Sequence, residues 1–155
     1  MAPLSQRADV RRAALDLACA ARRSLALLSA ALEPAVFDQS ALIEAVAALA
    51  RRRDARLRIL VREPRYVMAR GHGLVELARR LSTTIELRRP HPQHRDVTEQ
   101  LLVTDEVGLL FRPTELHYEG WASLHAPVEA RRRLRFFDEM WSLAEPDPEL
   151  QRLYL

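Results

Sequence analysis

The sequence predicts a single-domain α/β sandwich in which helices flank a mixed β-sheet. Segments with helical and with strand periodicity alternate over residues 6–88, an order that is typical of partly parallel sheets. Two adjacent apolar runs then indicate an antiparallel hairpin, and a long amphipathic segment follows them. The length of 155 residues, 48% of them hydrophobic, suits one domain over residues 1–155 with one core.

The first half of the chain opens with a predicted helix over residues 6–22, where small and apolar side chains recur at helical spacing. The apolar run 24–29 predicts a buried strand, although its alanine and leucine residues also suit a continued helix. Asp38 or Ser40 is the expected amino-terminal cap of a second helix, whose apolar stripe reaches Ala50. Residues 51–53 are expected in its last turn, where cations suit the helix dipole.

A further strand, helix and strand are expected in the middle of the chain. Residues 56–62 alternate between apolar and arginine side chains, which predicts a strand with arginines on one face or flank. A third helical stripe over 74–81 opens after a Gly-His-Gly segment, and this makes His72 the expected helix-entry residue. Residues 84–88 alternate as the next strand.

The last third of the chain predicts a hairpin, one more strand and a closing helix. Apolar runs 101–103 and 107–111 flank the turn residues 104–106, and residues 121–125 suit a further strand. The closing helix is predicted over 128–144, because a proline suits the first turn of a helix. Its predicted buried stripe consists of Leu134, Phe137, Trp141 and Ala144, widened by Phe136 and Met140.

All 24 basic residues are arginines, a bias typical of GC-rich bacterial genomes, so lysine chemistry is excluded. The net charge of +3 is unevenly distributed. Residues 51–95, called the basic segment below, carry 13 arginines and 4 acids, whereas residues 96–119 carry 1 arginine and 6 acids. The basic segment suits a phosphate-binding face or solvated surface neutralised by spatial neighbours, and the adjacent acidic stretch favours neutralisation.

Several classes of protein are not expected from this sequence. It has no apolar run of about 18 residues, which predicts no membrane span. Its first residues do not resemble a secretory signal. Because Cys19 is the only cysteine, an intramolecular disulfide and a cysteine-based zinc cluster are excluded, and we expect a cytoplasmic protein.

Three stretches of the sequence resemble one half of the phospholipase D superfamily. Residues 52–61 are similar to the strand that reads "rGVrvrILv" in that family, and 101–105 are similar to the "llvvD" end of its H-x-K-x4-D motif. Residues 136–141 are similar to the aromatic end of its closing helix. The resemblance implies a phospholipase-D-like fold, with a degenerate motif region over residues 94–115.

The same resemblance implies that the family's catalytic residues are missing. With Asp105 as the motif aspartate, the histidine position falls on Thr98 and the lysine position on Gln100, while the Gly-Ser-x-Asn turn falls on residues 112–115. Family members use the histidine as nucleophile on phosphorus and the lysine to hold phosphate oxygens. A threonine without a base is a weak nucleophile, and glutamine carries no charge. Thr98, Gln100, Asp105 and Glu115 therefore form a predicted remnant site.

Three residues near the remnant site are candidates for binding an anion or another ligand. His91 and His94 lie in a proline-containing loop with Asp96, which also suits an ordinary exposed loop. Two histidines and a carboxylate can bind a metal, but no helical His-Glu-x-x-His pattern supports this, and we expect no metal or cofactor. Arg112 can hold a phosphate bidentately or form a salt bridge to Glu115 or Asp105, and the salt bridge is preferred.

We expect a non-catalytic binding or regulatory module. Single halves of the phospholipase D superfamily commonly pair, so the resemblance implies a homodimer or docking to a partner domain. The aromatic residues Phe111, Tyr118 and Trp121 surround the motif and suit such an interface. One alternative is an active phosphodiesterase or nuclease with a rearranged site of His94 and Arg112. Another is a nucleic-acid-binding module that uses the basic segment.

Overall fold

The computed structural model describes residues 1–151 as one α/β domain, and its seven-stranded mixed sheet flanked by helices confirms the predicted fold class. The predicted domain reaches residue 155, and its last residues, 152–155, lie outside the described part of the chain. The strands are β1 (Ala2–Leu4), β2 (Ser24–Ser29), β3 (Arg56–Val61), β4 (Ile85–Arg88), β5 (Gln100–Thr104), β6 (Gly108–Arg112) and β7 (Gly120–Ser123).

In the described part of the chain, seven helices lie between these strands and after the last of them. They are α1 (Arg7–Ala20), α2 (Pro34–Phe37), α3 (Ser40–Ala50), α4 (Pro64–Arg70), α5 (Gly73–Arg80), α6 (Pro127–Leu143) and α7 (Pro148–Gln151), with a short 3₁₀ turn at Pro92–His94. None of the helices within residues 1–151 is long and apolar enough to cross a bilayer.

The sheet is partly parallel, as predicted, with the strand order β1-β7-β6-β5-β2-β3-β4. Strands β2, β3 and β4 are parallel, whereas β5 runs antiparallel to β2 and continues into an antiparallel meander through β6 and β7 to β1. The carboxyl ends of β2, β3 and β4 therefore meet the amino end of β5 at one edge of the sheet. Side chains that follow these strands are gathered there, as is common for sites in α/β folds.

The two faces of the sheet are covered by different helices. Successive strand residues point to opposite faces, so Leu102 joins the core cluster beside α1, whereas Leu101 and Val103 join the cluster beside α6. Phe137 is fully buried in the α6 cluster, and its ring stacks on that of Trp141 with 5.8 Å between centroids. The buried sheet thus holds its edges at fixed positions between two apolar layers.

The β5–β6 hairpin forms as predicted, with its turn one residue later than expected. Thr104 ends β5 and accepts a hydrogen bond from the Val107 amide at 3.0 Å. Asp105 and Glu106 both have positive φ angles, 53° and 59°. Two left-handed residues at the centre of a tight turn match the right-handed twist of the flanking strands.

Several predicted boundaries shift, and one predicted cap is wrong. Gln39, rather than Asp38 or Ser40, precedes the first turn of α3, and no side chain caps that helix. Asp38 instead accepts a hydrogen bond from the Gly73 amide at 3.0 Å, so it stabilises the start of α5. His72 enters α5 as predicted, because its Nδ1 accepts a hydrogen bond from the Leu74 amide at 3.0 Å.

The predicted lengths of the terminal elements also change. The first helix covers Arg7–Ala20 rather than 6–22, and α6 covers Pro127–Leu143 rather than 128–144. Helix α3 ends at Ala50, so residues 51–53 follow the helix instead of forming its last turn. The strand predicted over 121–125 ends at Ser123. In the buried stripe of α6, Leu134 and Ala144 are only half-buried, whereas Ala130 and Met140 are fully buried. Helix α4 was not predicted from the sequence.

Replacing Phe137 by alanine is expected to destabilise the fold by about 3–5 kcal/mol, because it removes a fully buried ring and leaves a cavity. The neighbouring Phe136 is half-buried, and its replacement by alanine is the matched control with a smaller expected loss. Urea denaturation monitored by circular dichroism measures both free energies. Equal losses for the two variants would contradict the assigned buried face of α6.

Candidate functional site

A cleft of about 900 Å³ opens at the sheet edge where β2, β3 and β4 end. Its walls come from the loops that follow β2, β3, β4 and β6. Several of its lining residues carry chemistry, namely Glu33, Arg62, Glu63, Arg70, Arg89, His91, His94, Arg95, Thr98, Thr114 and Glu115. The cleft therefore contains four of the predicted site residues, which are His91, His94, Thr98 and Glu115.

Glu115 follows β6 and lies at the base of the cleft with its carboxylate largely buried. Its Oε1 accepts hydrogen bonds from the Ala30 amide at 2.7 Å and from Arg62 Nη2 at 2.9 Å. Its Oε2 accepts hydrogen bonds from Ser29 Oγ and Gln100 Nε2, each at 3.0 Å. One carboxylate thus connects the ends of β2 and β3 to β5, so its role in the structure is an acceptor rather than a free base.

Burial raises the pKa of Glu115 above its ordinary value of 4.5. The Ala30 amide, the Arg62 guanidinium, the Ser29 hydroxyl and the Arg112 guanidinium all oppose this rise by favouring the ionised form. Because the pKa of Glu115 is raised, the cost of removing its carboxylate from water outweighs the stabilisation of the ionised form by these four neighbours.

Arg112 lies beneath the cleft and is fully buried. Its Nη1 donates to Gln100 Oε1 at 3.1 Å, and its Nε and Nη2 donate to the His117 carbonyl at 3.1 and 2.6 Å. The guanidinium also lies 4.8 Å from the ring centre of Tyr118. The predicted salt bridge to the Glu115 carboxylate does not form, because the Gln100 amide stands between the two charges. Arg112 does not line the cleft, so it has no access to a ligand there.

The sequence resemblance places Gln100 and Thr98 at a lysine and a histidine position, and in the structure both side chains are hydrogen-bonded within the protein. Gln100 is fully buried, with its amide held between Arg112 and Glu115. Thr98 lines the cleft, and its hydroxyl donates to the Pro113 carbonyl at 2.9 Å. The Thr98 hydroxyl is therefore not a free nucleophile, and the Gln100 amide provides no positive charge to a ligand.

His91 and His94 both line the cleft; His91 precedes the 3₁₀ turn and His94 is its last residue. His91 Nδ1 accepts a hydrogen bond from the Gln93 amide at 3.1 Å, which leaves its Nε2 as the donor of the neutral ring. His94 Nδ1 is shielded from solvent and has no hydrogen-bond partner within residues 1–151. No group of three or more metal-ligating side chains is found in the described chain.

Asp105 is separated from the other predicted site residues, because it lies at the opposite edge of the sheet. Its carboxylate accepts hydrogen bonds from the backbone amides of Arg22 and Arg23, each at 2.8 Å, and of Ser24 at 3.0 Å. The aspartate therefore orders the segment that leads into β2.

Three arginines of the basic segment, which the sequence did not assign individually to a site, form the rim of the cleft. Arg70 ends α4, Arg89 follows β4, and Arg95 follows the 3₁₀ turn. Arg89 Nη1 lies 3.8 Å from Asp147 Oδ2, whereas Arg70 and Arg95 form no ion pair within residues 1–151. Arg70 is the last residue of a helix, and Arg89 and Arg95 lie in the loop after β4. The sequence can place such residues at one cleft only when the strand order of the sheet is known.

Tyr118 connects the two walls of the cleft. Its hydroxyl donates to Glu33 Oε1 at 2.9 Å, and Glu33 belongs to the loop that follows β2. Burial, followed by this carboxylate, raises the pKa of the Tyr118 hydroxyl, so the phenol stays protonated and remains a donor. The contact holds the loop after β2 against the segment after β6.

A family model matches most of the chain, and solved structures share its fold. A family model described as "Domain of unknown function (DUF7931)" matches residues 6–153. No curated protein sequence matches significantly. TrmBL2, described as an archaeal chromatin protein with a novel mode of DNA binding, superposes with a TM-score of 0.68 at 14% identity, over 94% of this chain and 53% of that chain. NucT from Helicobacter pylori superposes with a TM-score of 0.60 at 8% identity, over 94% and 98%.

These structural similarities support the phospholipase-D-like fold that the sequence predicted. This chain spans about half the length of TrmBL2. At such low identities the similarity establishes the fold, while the side chains of the cleft define its chemistry.

The Asp105→Ala substitution is expected to lower the free energy of unfolding by about 1–2 kcal/mol, because three backbone amides lose their acceptor. The matched control is Glu106→Ala, since Glu106 has a similar positive φ and is exposed. Denaturation with urea compares the two variants. A loss for Glu106→Ala as large as that for Asp105→Ala would show that backbone strain, rather than the carboxylate, is responsible.

The raised pKa of Glu115 predicts a pH-dependent stability. Between the ordinary value of 4.5 and the higher native value, the native state binds a proton that the unfolded chain has released. The stability of the wild type relative to Glu115→Gln is therefore expected to be greatest below pH 4.5 and to fall as pH rises through this interval.

Urea denaturation at a series of pH values measures this difference. The exposed Glu119, replaced by glutamine, is the matched control and is expected to run parallel to the wild type. A constant difference between the wild type and Glu115→Gln across the series would contradict the raised pKa.

Proposed function

Because the chain belongs to the family described as a domain of unknown function, DUF7931, we propose its function from its own site. The protein is a phospholipase-D-like binding module that holds a phosphate-bearing ligand in the cleft and does not hydrolyse it. This proposal joins two properties of one edge of the sheet: the engaged motif residues at its base and the arginines at its rim.

The observation that carries the proposal is the state of Gln100. At the position where the resemblance places a phosphate-holding lysine, a neutral amide is fully buried and bonded on both sides. Glutamine brings no charge to a developing phosphorane, and its burial keeps it from a ligand. Thr98 stands where the resemblance places the nucleophilic histidine, and its hydroxyl donates a hydrogen bond to a backbone carbonyl rather than to a base.

The rim of the cleft supports binding of an anion. Arg70 and Arg95 form no ion pair within the described chain, and a guanidinium binds phosphate oxygens through two parallel hydrogen bonds. His91 adds a neutral N–H donor on the same side of the cleft. Glu33 and Glu63 also line the cleft, so an anion is expected next to Arg70, Arg95 and His91 and away from these two carboxylates.

The alternative of an active phosphodiesterase is weakened by the position of Arg112. That alternative requires His94 as a base and Arg112 as the cation on the phosphate. Arg112 is buried beneath the cleft and is bonded to Gln100 and the His117 carbonyl. His94 alone, with its unpartnered Nδ1, is the remaining candidate for a reaction.

A nucleic acid is the second candidate ligand. It is favoured by the fold similarity to TrmBL2, a chromatin protein described as binding DNA, and by the excess of arginine in the basic segment. A homodimer or a docked partner domain, and a cytoplasmic location, remain predictions from the sequence. Trp121 is 44% exposed and stacks on Phe111 with 6.1 Å between centroids, so part of the proposed aromatic interface is accessible.

Loss of a rim arginine is expected to weaken phosphate binding. A charge-assisted hydrogen bond contributes about 1.5–3 kcal/mol, so Arg95→Ala or Arg70→Ala is expected to raise the Kd about tenfold or more. Titration with inorganic phosphate followed by phosphorus NMR measures this change. The matched control is Arg65→Ala, because Arg65 is exposed on α4 and does not line the cleft. An equal effect of Arg65→Ala would contradict binding in the cleft.

The absence of hydrolysis is tested with the activated diester bis-p-nitrophenyl phosphate. We expect no turnover above a buffer blank. Turnover by the purified protein that His94→Ala abolishes would overturn the proposed binding function and establish the phosphodiesterase alternative.

A further inference from the structure

We propose that the sheet edge opposite the cleft carries a second basic surface, which binds the phosphate backbone of a nucleic acid. This surface, called the arginine cluster below, consists of the exposed side chains Arg22, Arg23, Arg51, Arg52, Arg53 and Arg56. The inference rests on the nucleic-acid candidate above and assigns it to a surface separate from the cleft.

Three chain segments bring the arginine cluster together. Strands β2 and β3 are parallel and in register, with Ser24 beside Arg56, so the residues before both strands share one edge. The Arg56 amide donates to the Arg23 carbonyl at 3.0 Å, and Arg52 Nε donates to the Arg22 carbonyl at 3.0 Å. The segments are therefore bonded to one another, and the cluster is a property of the fold rather than of one run in the sequence.

The surface is ordered as well as charged. Arg22, Arg23, Arg52 and Arg53 line a shallow depression of about 590 Å³, with Asp105 at its base. Asp105 accepts hydrogen bonds from three backbone amides of this segment, so its carboxylate holds the loop in place. A polyanion meets arginines whose backbone positions are already set, which lowers the entropy lost on binding.

The charge of the arginine cluster is poorly neutralised within the protein. Among residues 1–151 its one ion pair joins Arg53 Nε to Asp54 Oδ2 at 3.9 Å, and both side chains are more than 90% exposed. An exposed pair of this length is strongly screened by water. By contrast, Arg58, Arg62 and Arg88 of the same basic segment have carboxylate partners at 2.8, 2.9 and 2.6 Å.

The composition of the surface favours a nucleic acid over a lipid bilayer. Membrane-surface binding combines positive charge with apolar side chains that enter the bilayer. Within the described chain, none of the exposed large hydrophobic side chains belongs to residues 22–23 or 51–56. Guanidinium groups without apolar neighbours suit phosphate oxygens, and their binding releases counterions from the nucleic acid.

The test compares two double variants with the same change of charge. Arg23→Glu/Arg53→Glu alters the arginine cluster at two exposed positions, and Arg70→Glu/Arg95→Glu alters the rim of the cleft. Binding of a short fluorescent duplex DNA is measured by anisotropy over a series of salt concentrations. Circular dichroism checks that both variants are folded, and a third variant, Arg23→Lys/Arg53→Lys, keeps the charge.

We expect the glutamate variant of the arginine cluster to weaken binding at least tenfold at low salt. The slope of log K against log salt is expected to fall by about 2, because roughly one counterion is released per phosphate contact. The lysine variant is expected to keep most of the slope, and the cleft variant is expected to lose less affinity.

Four results would overturn the inference. Equal losses in the two glutamate variants would indicate a response to net charge alone. A loss confined to the cleft variant would place the nucleic acid in the cleft, so the second candidate function would stand and this inference would fail. Absence of DNA binding by the wild type at low salt would reject both. Tighter binding to anionic phospholipid vesicles, with the same dependence on the arginine cluster, would assign the surface to a membrane.

Discussion

The structure depends on the largely buried carboxylate of Glu115. A charge removed from water requires donors, and four of them come from the ends of β2 and β3 and from β5. Because Arg62 also donates to the carbonyls of Val97 and Glu99, at 3.0 and 2.8 Å, the same network holds the segment that forms one wall of the cleft. The shape of the cleft thus follows from the hydrogen-bond donors that surround one buried carboxylate.

This constraint explains why residue 100 is a neutral amide rather than a cation. Gln100 donates to Glu115 and accepts from Arg112, and an amide is the side chain that can do both at once. A lysine in its place has only donors and no acceptor for Arg112. The base of the cleft is therefore a neutral structural bridge, and the positive charge available to a ligand lies at the rim.

A second carboxylate organises the opposite edge of the sheet in a related way. Asp105 accepts hydrogen bonds from backbone amides, as Glu115 does, but within residues 1–151 no guanidinium pairs with it, and the arginines around it are exposed. Some arginines of the basic segment line the cleft, and others lie at the opposite edge of the sheet. The expected neutralisation by spatial neighbours holds for Arg58, Arg62 and Arg88 and does not hold for the run of three arginines after α3.

The sequence by itself determined the fold class, the order of most elements and the missing lysine, because apolar periodicity and composition are local properties. His72 and the β5–β6 turn were predictable for the same reason. Only the tertiary structure decided that His91, His94, Thr98 and Glu115 share a cleft while Asp105 lies at the other edge, and that Arg112 is buried. These outcomes depend on strand order and on which buried donors reach each carboxylate, and such pairings join residues more than 80 positions apart.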